Sequence, residues 1–110
     1  MIFVTGPLFA GKREYIQNAL GLDDAAFTAC AAWDVQELAL NDTPEALAEG
    51  LADKRVVIAT ELGGGVVPVD AHERAKREAA GRLACVLAQR ADTVIRVCCG
   101  LPQLLKGEWP

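Results

Sequence analysis

A short apolar run, Met1-Ile2-Phe3-Val4-Thr5, leads straight into Gly6-Pro7-Leu8-Phe9-Ala10-Gly11-Lys12-Arg13. The run predicts a buried β-strand. The segment after it predicts a tight turn feeding a helix. Gly6, Gly11 and Lys12 have the spacing G-x-x-x-x-G-K of a phosphate-binding loop. The physics behind that spacing is simple. Glycine lets the backbone curl until successive N–H groups point at one anion, and the helix that follows adds its positive end. A lysine at the end of the loop reaches the outer phosphates as a point charge. The next residue normally carries a hydroxyl that holds Mg²⁺, and here it is Arg13. The loop Gly6, Pro7, Leu8, Phe9, Ala10, Gly11, Lys12 and Arg13 is therefore read as a nucleotide phosphate site with no assured metal ligand. Binding there is expected to depend little on Mg²⁺.

The remaining chain alternates helix and strand signals. A first helix is expected over about 11–19, with Tyr15, Ile16, Ala19 and Leu20 as its apolar stripe and Gly21 as its C-cap. After a short acidic connection, residues 26–30 read as a weak strand. Residues 33–38 read as a turn or short helix capped by Asp34. Thr43-Pro44-Glu45 opens a helix that turns Leu47 and Leu51 inward and ends near Asp53. Val56-Val57-Ile58-Ala59-Thr60 is a continuous apolar run, suited to a parallel strand covered on both faces. A glycine-rich loop from Glu61 to Pro68 follows it. Asp70 caps the longest helix, 71–90, with Ala75, Ala79, Leu83, Val86 and Leu87 on its apolar side. The last strand is 93–98; Gly100-Leu101-Pro102 breaks it, and a short tail remains. This alternation predicts an α/β fold, a phosphate-loop-type three-layer arrangement with a small, mainly parallel sheet of about four strands.

With 110 residues, 52% of them hydrophobic, the chain is long enough for one packed domain, 1–110. Its net charge of −4, without a basic run, argues against nucleic acid or an acidic membrane surface as partner. No apolar stretch approaches membrane-spanning length and no targeting segment is visible, so the cytoplasm is expected. Cys30, Cys85, Cys98 and Cys99 form no C-x-x-C pair, and His72 is the one histidine, so the cysteines read as buried thiols of a reducing compartment and not as a zinc site.

In a parallel α/β sheet, ligands bind beyond the carboxyl ends of the strands. The loops after Thr5, Thr60 and Cys99 should therefore share one rim. On it, Glu61 is the candidate catalytic carboxylate, able to hold a metal or accept a proton; the alternative is a loop carboxylate paired with a lysine or arginine. Gly63, Gly65, Arg74 and Arg77 are candidate rim contacts. His72, beside Glu73 in the first turn of the long helix, reads as solvated. Trp33, Leu101, Leu104, Leu105 and Trp109 put much apolar sequence on a small domain, which predicts a homo-oligomer, dimer or trimer.

Four pieces in order carry a resemblance. They are the phosphate loop from residue 6, Glu61-x-Gly63-x-Gly65-x-Val67-Pro68, Arg74-x-x-Arg77-Glu78-x-x-Gly81-Arg82, and Gly100-Leu101-Pro102-x-x-Leu105-Lys106. Together they resemble the adenosylcobinamide kinase/adenosylcobinamide-phosphate guanylyltransferase family of cobalamin biosynthesis. The resemblance implies a phosphate-loop fold, GTP or ATP as ligand, and a corrinoid, cobinamide, as second substrate. It implies a kinase step and a GMP transfer through a histidine phosphoramidate. The chain departs from the family pattern at Arg13, Thr60, Glu78 and Ala84. Its segment 22–53 holds no histidine and shows no apolar strand ending in an aspartate. The expectation is a nucleotide-binding relative whose catalysis is weak or lost, with guanylyl transfer the least expected activity. The alternative is a non-catalytic regulatory or assembly partner that binds no nucleotide.

Overall fold

The computed structural model describes residues 1–62 and 70–110. The chain runs β1 (Ile2–Gly6), α1 (Lys12–Leu20), α2 (Asp24–Cys30), β2 (Ala31–Ala32), a 3₁₀ turn (Val35–Leu38), α3 (Pro44–Gly50), β3 (Val56–Thr60), α4 (Ala71–Arg90), β4 (Thr93–Cys98) and β5 (Leu101–Lys106). The sheet has the order β2-β3-β1-β4-β5. β1 lies in the middle, parallel to β3 on one side and to β4 on the other, with Gly6 opposite Thr60 and Thr5 opposite Arg96.

The apolar runs of β1, β3 and β4 alternate between two cores, as the pleat requires. Phe3, Val57, Ala59 and Val94 face one way and meet Ala79, Ala80, Leu83 and Leu87 of α4. Val4, Val56, Ile58, Ile95 and Val97 face the other way and meet Ile16 of α1 and Phe27 of α2. All five residues of β3 are buried, as a strand covered on both faces should be. The result is the three-layer α/β arrangement that the element order predicts.

Several caps form as the sequence implies. Gly21 ends α1 in the left-handed region, Thr43 Oγ1 accepts from the Ala46 N–H at 3.2 Å, and Asp70 Oδ1 accepts from the His72 N–H at 2.7 Å. Four expectations are corrected. The sheet has five strands, because Leu101–Lys106 pairs antiparallel with β4 and does not trail off; Pro102 is tolerated there since β5 is an edge strand. Residues 26–30 are helical, because Asp23 Oδ1 accepts from the Ala26 N–H at 2.8 Å and starts α2. Asp34 does not cap the 3₁₀ turn with its side chain; it sits in the left-handed region at φ 54°. Ala75 is exposed, and Ala80 takes its place in the core beside Ala79.

Candidate functional site

The loop between β1 and α1 is shaped by two glycines. At Gly6, φ is 154°, and a Cβ there would come within 2.1 Å of the Val97 carbonyl oxygen on the neighbouring strand. Only glycine lets the loop turn this close to β4. Gly11 stands at φ 85° as the N-cap of α1, and no side chain caps the helix. The first-turn N–H groups of α1 are thus not used by a capping side chain, the arrangement that favours an anion at a helix start. Phe9 also lies in the left-handed region, at φ 57°, and its side chain is 93% exposed at the tip of the loop.

Lys12 is buried, and its ammonium donates to the carbonyl oxygens of Pro7 at 2.6 Å and Gly6 at 3.2 Å. Burial pushes its pKa below the usual lysine value, while the nearby carboxylates of Asp34 and Glu61 oppose that shift. Arg13 points elsewhere. Its guanidinium lies 4.7 Å from the ring centre of Phe27 and 4.9 Å from that of Trp33, and the two rings stack on each other at 5.7 Å. The positive charge is thereby held against aromatic faces on the α2 side of the loop.

These residues line an open cleft of about 570 Å³ bounded by Leu8 and Phe9 on the loop, Lys12, Arg13 and Glu14 on α1, Trp33 and Asp34 after β2, and Ile58 and Thr60 on β3. Two carboxylates, Glu14 and Asp34, share it with two cations. Asp34 reaches the cleft because the two-residue strand β2 pairs in parallel with β3 and carries the chain to the sheet rim. The segment 22–53 therefore does hold an apolar strand leading to an aspartate, contrary to the sequence expectation; at two residues it is too short to show as a period. Gln36 is a further residue that the sequence reading missed. It is buried, and its Oε1 accepts from the Thr60 N–H at 2.9 Å, fixing the end of β3 at the cleft.

Glu61 lies near enough to Lys12 to act on its charge but does not line this cleft. Its carboxylate takes a two-pronged hydrogen bond from Arg96, Nη2 to Oε1 and Nε to Oε2, each 2.9 Å. It lines a smaller pocket with Thr5, Ala59, Leu62, Ala80, Gly81 and Ala84 on the α4 side of the sheet. The paired-carboxylate alternative is the arrangement found. Hydrogen bonding to Glu61 is in turn the main reason that Arg96 is held charged above its usual range. A lone charge inside the apolar run of β4 was the sequence signal for such a partner. Arg74 and Arg77 stand in the first turns of α4, outside the residues lining the cleft. His72 is exposed there too. Gly63 and Gly65 lie outside the described residues.

The central strand, the glycine loop and the uncapped start of α1 define an α/β protein of the phosphate-loop kind. The sequence model of the cobinamide kinase / cobinamide phosphate guanyltransferase family matches residues 17–105, which is most of the chain. The protein belongs to that family, and this links it to cobalamin biosynthesis and to corrinoid and nucleotide ligands. The match runs through the middle segment and begins after the phosphate loop. No curated protein matches the chain. Among the described residues, no helix is long and apolar enough to cross a membrane.

Proposed function

We propose that this family member binds ATP or GTP at the glycine loop, and a corrinoid of the cobinamide type, while its phosphoryl transfer is weak or lost. The observation that carries the reading is the placement of Arg13. A phosphoryl-transfer site stabilises charge on the transferring group, largely through Mg²⁺ held by a hydroxyl next to the loop lysine. Here that position supplies a cation lying over Phe27 and Trp33. A second cation, Lys12, shares the cleft, and Glu61 is engaged by Arg96. The cleft's carboxylates, Glu14 and Asp34, share it with both cations, and among the described residues no three acidic, His or Cys side chains cluster to hold a metal, so the donor set is a poor fit to an integral Mg²⁺ ion. What does fit a polyphosphate is the start of α1, which no side chain caps, with the Lys12 ammonium, which can turn from two carbonyls to an anion.

The test is a thermal-shift and titration series with ATP and GTP, each with Mg²⁺ and with a chelator, alongside an assay for cobinamide phosphate. Stabilisation by nucleotide without appreciable turnover is expected. A tenfold loss of affinity in chelator, about 1.4 kcal/mol, would contradict metal independence. Rapid formation of cobinamide phosphate would overturn the loss of catalysis. No covalent GMP adduct is expected after incubation with GTP. The segment 22–53 has no histidine, and exposed His72 lies outside the cleft lining.

A second reading, a regulatory or assembly subunit that binds no nucleotide, has its own support. The Lys12 ammonium already has two carbonyl acceptors, and Glu14 and Asp34 repel an anion from the same cleft. Absence of any nucleotide shift would favour it. In either case we propose a homo-oligomer, dimer or trimer, joined through exposed apolar residues such as Leu101, Leu105 and Trp109. Leu104 is half-buried against the α1-side core and is less available for this. A single-chain mass of 11.7 kDa in light scattering would contradict the assembly.

A further inference from the structure

The hairpin joining β4 to β5 carries an unusual residue at a strained place. Cys98 pairs with Leu101 across the hairpin, and the two residues between them, Cys99 and Gly100, both have positive φ, 54° and 75°. Two successive positive φ values are the signature of a type I′ turn, whose first position is normally Asn, Asp or Gly. A cysteine held there is a backbone outlier. Both thiols are exposed and free, as is that of Cys85, and Cys30 is half-buried, so the expectation of buried thiols is corrected. Arg96 lies two residues before Cys98 on the same side of β4, close enough for its guanidinium to interact with the Cys98 sulfur. Negative charge developing on the Cys98 sulfur therefore meets a positive neighbour, one that it shares with the Glu61 carboxylate. The turn is also tied to the phosphate loop, because the Gly100 N–H donates to the Ala10 carbonyl at 2.7 Å and the Gly100 Cα lies close against Gly11.

We propose that Cys98 and Cys99 form a hydroperoxide-sensitive dithiol site that acts on the phosphate loop through the Gly100–Ala10 contact. Cys98 sulfur attacks the terminal oxygen of a hydroperoxide, the O–O bond breaks, and a sulfenic acid and water (or an alcohol) result. Cys99 sulfur then attacks the sulfenic sulfur, a second water leaves, and an S–S bond joins the adjacent residues. Two thiols are oxidised and one hydroperoxide is reduced. Adjacent Cα atoms are about 3.8 Å apart, less than the roughly 4.4–6.8 Å that a relaxed disulfide spans. The trans peptide fixes that separation, so the bond is strained in any backbone conformation, and it forms when rotation about the Cys98 Cα–C and Cys99 N–Cα bonds brings both sulfurs to one side, which takes Cys99 out of its present turn. That rotation displaces Gly100 from Ala10 and loosens the loop. A bond under such strain is easily reduced again.

The test uses the full chain. Hydrogen peroxide treatment should remove two hydrogens from the intact mass and leave two of the four thiols open to alkylation. Peptide mapping should place the bond at 98–99, and dithiothreitol should reverse it. Cys99→Gly, which suits the positive φ and keeps the turn, should lose the bond and retain a sulfenic acid on Cys98. Amide exchange at 9–11 should speed up in the oxidised wild-type chain and not in the peroxide-treated variant. Bonds between chains, oxidation confined to Cys30 or Cys85, or unchanged exchange at 9–11 would overturn the proposal. The consequence for ligand, weaker nucleotide binding after oxidation, rests on the proposed function. If the reduced chain binds no nucleotide that function fails, while mass and exchange still decide the dithiol site.

Discussion

The backbone of the β1–α1 loop and the charged side chains around it tell different stories. The backbone has the shape of an anion cradle: Gly6 passes tight against β4, Gly11 starts α1 in the left-handed region, and α1 has no capping side chain. The charges are turned to partners within the chain: Lys12 to two carbonyls, Arg13 to two aromatic rings, Glu61 to Arg96. Loop shape is fixed by close contacts with β4, so it resists change whatever the site does. Side-chain chemistry can drift at little cost in stability. A phosphate-loop fold is therefore a weaker sign of catalysis than the residues it presents.

The largest expected effect breaks the backbone half of this comparison. Gly6→Ala places a methyl against the Val97 carbonyl oxygen, at a φ that alanine also avoids. A loss of about 3 kcal/mol or more is expected in denaturant unfolding, or failure to fold. Gly11→Ala meets nothing nearer than 3.5 Å, so it should cost only the left-handed strain, about 1–2 kcal/mol. Equal costs at the two positions would mean that β4 does not hold the loop.

The next effect concerns Lys12 and runs in two directions. Burial lowers its pKa in the free chain, so across the window from that lowered value up to the ordinary lysine value the unfolded chain binds more protons. Folding stability should therefore rise with pH through this window. A bound phosphate needs the ammonium, so nucleotide affinity should be full below the lowered pKa and fall as pH climbs through it. A tenfold decline, about 1.4 kcal/mol, is expected by titration calorimetry. Lys12→Met should remove both trends; a flat affinity profile in the wild-type chain would remove Lys12 from binding.

Much of the scaffold was legible in local chemistry. Thr43-Pro44 and Asp70 announce α3 and α4 because a cap needs only residues a turn away. The run 56–60 announces a doubly covered strand. Sequence and structure part where a local signal is faint or its context distant. Ala26-Phe27-Thr28 shows no clear period, and the Asp23 cap that makes it helical stands outside the apolar run. Pro102 reads as a breaker unless the strand is known to lie at an edge. The site was less legible than the fold. Arg13 meets Phe27 and Trp33, and Glu61 meets Arg96, across separations that no motif spans. Asp34 reaches the cleft on a strand of two residues.

A smaller effect tests the side-chain half. Arg13→Ser removes the guanidinium from the stacked rings and should cost about 1 kcal/mol in stability, the scale of a partly exposed cation–aromatic contact. The new hydroxyl occupies the position from which such loops hold a metal, so nucleotide affinity should become more dependent on Mg²⁺. Undiminished stability would mean that the rings do not hold the arginine. Unchanged metal dependence would mean that more than this one ligand is missing.

The smallest effect is expected at the Glu61–Arg96 pair. Its geometry is good, but the side chains are 37% and 39% exposed, so water competes for both. A double-mutant cycle with Glu61→Gln and Arg96→Gln should give a coupling of about 1 kcal/mol or less. The functional arm is more telling. Were Arg96 merely restraining a competent base, Arg96→Gln would free the Glu61 carboxylate and cobinamide phosphorylation would increase. We expect no increase. The carboxylate lines the pocket on the α4 side, while Lys12 and the loop line the neighbouring cleft, and Thr60 borders both, so loss of its partner does not by itself carry it into the loop cleft. A gain in phosphorylation in Arg96→Gln, absent when Glu61→Gln is added, would show that the chemistry of this site is restrained and not lost.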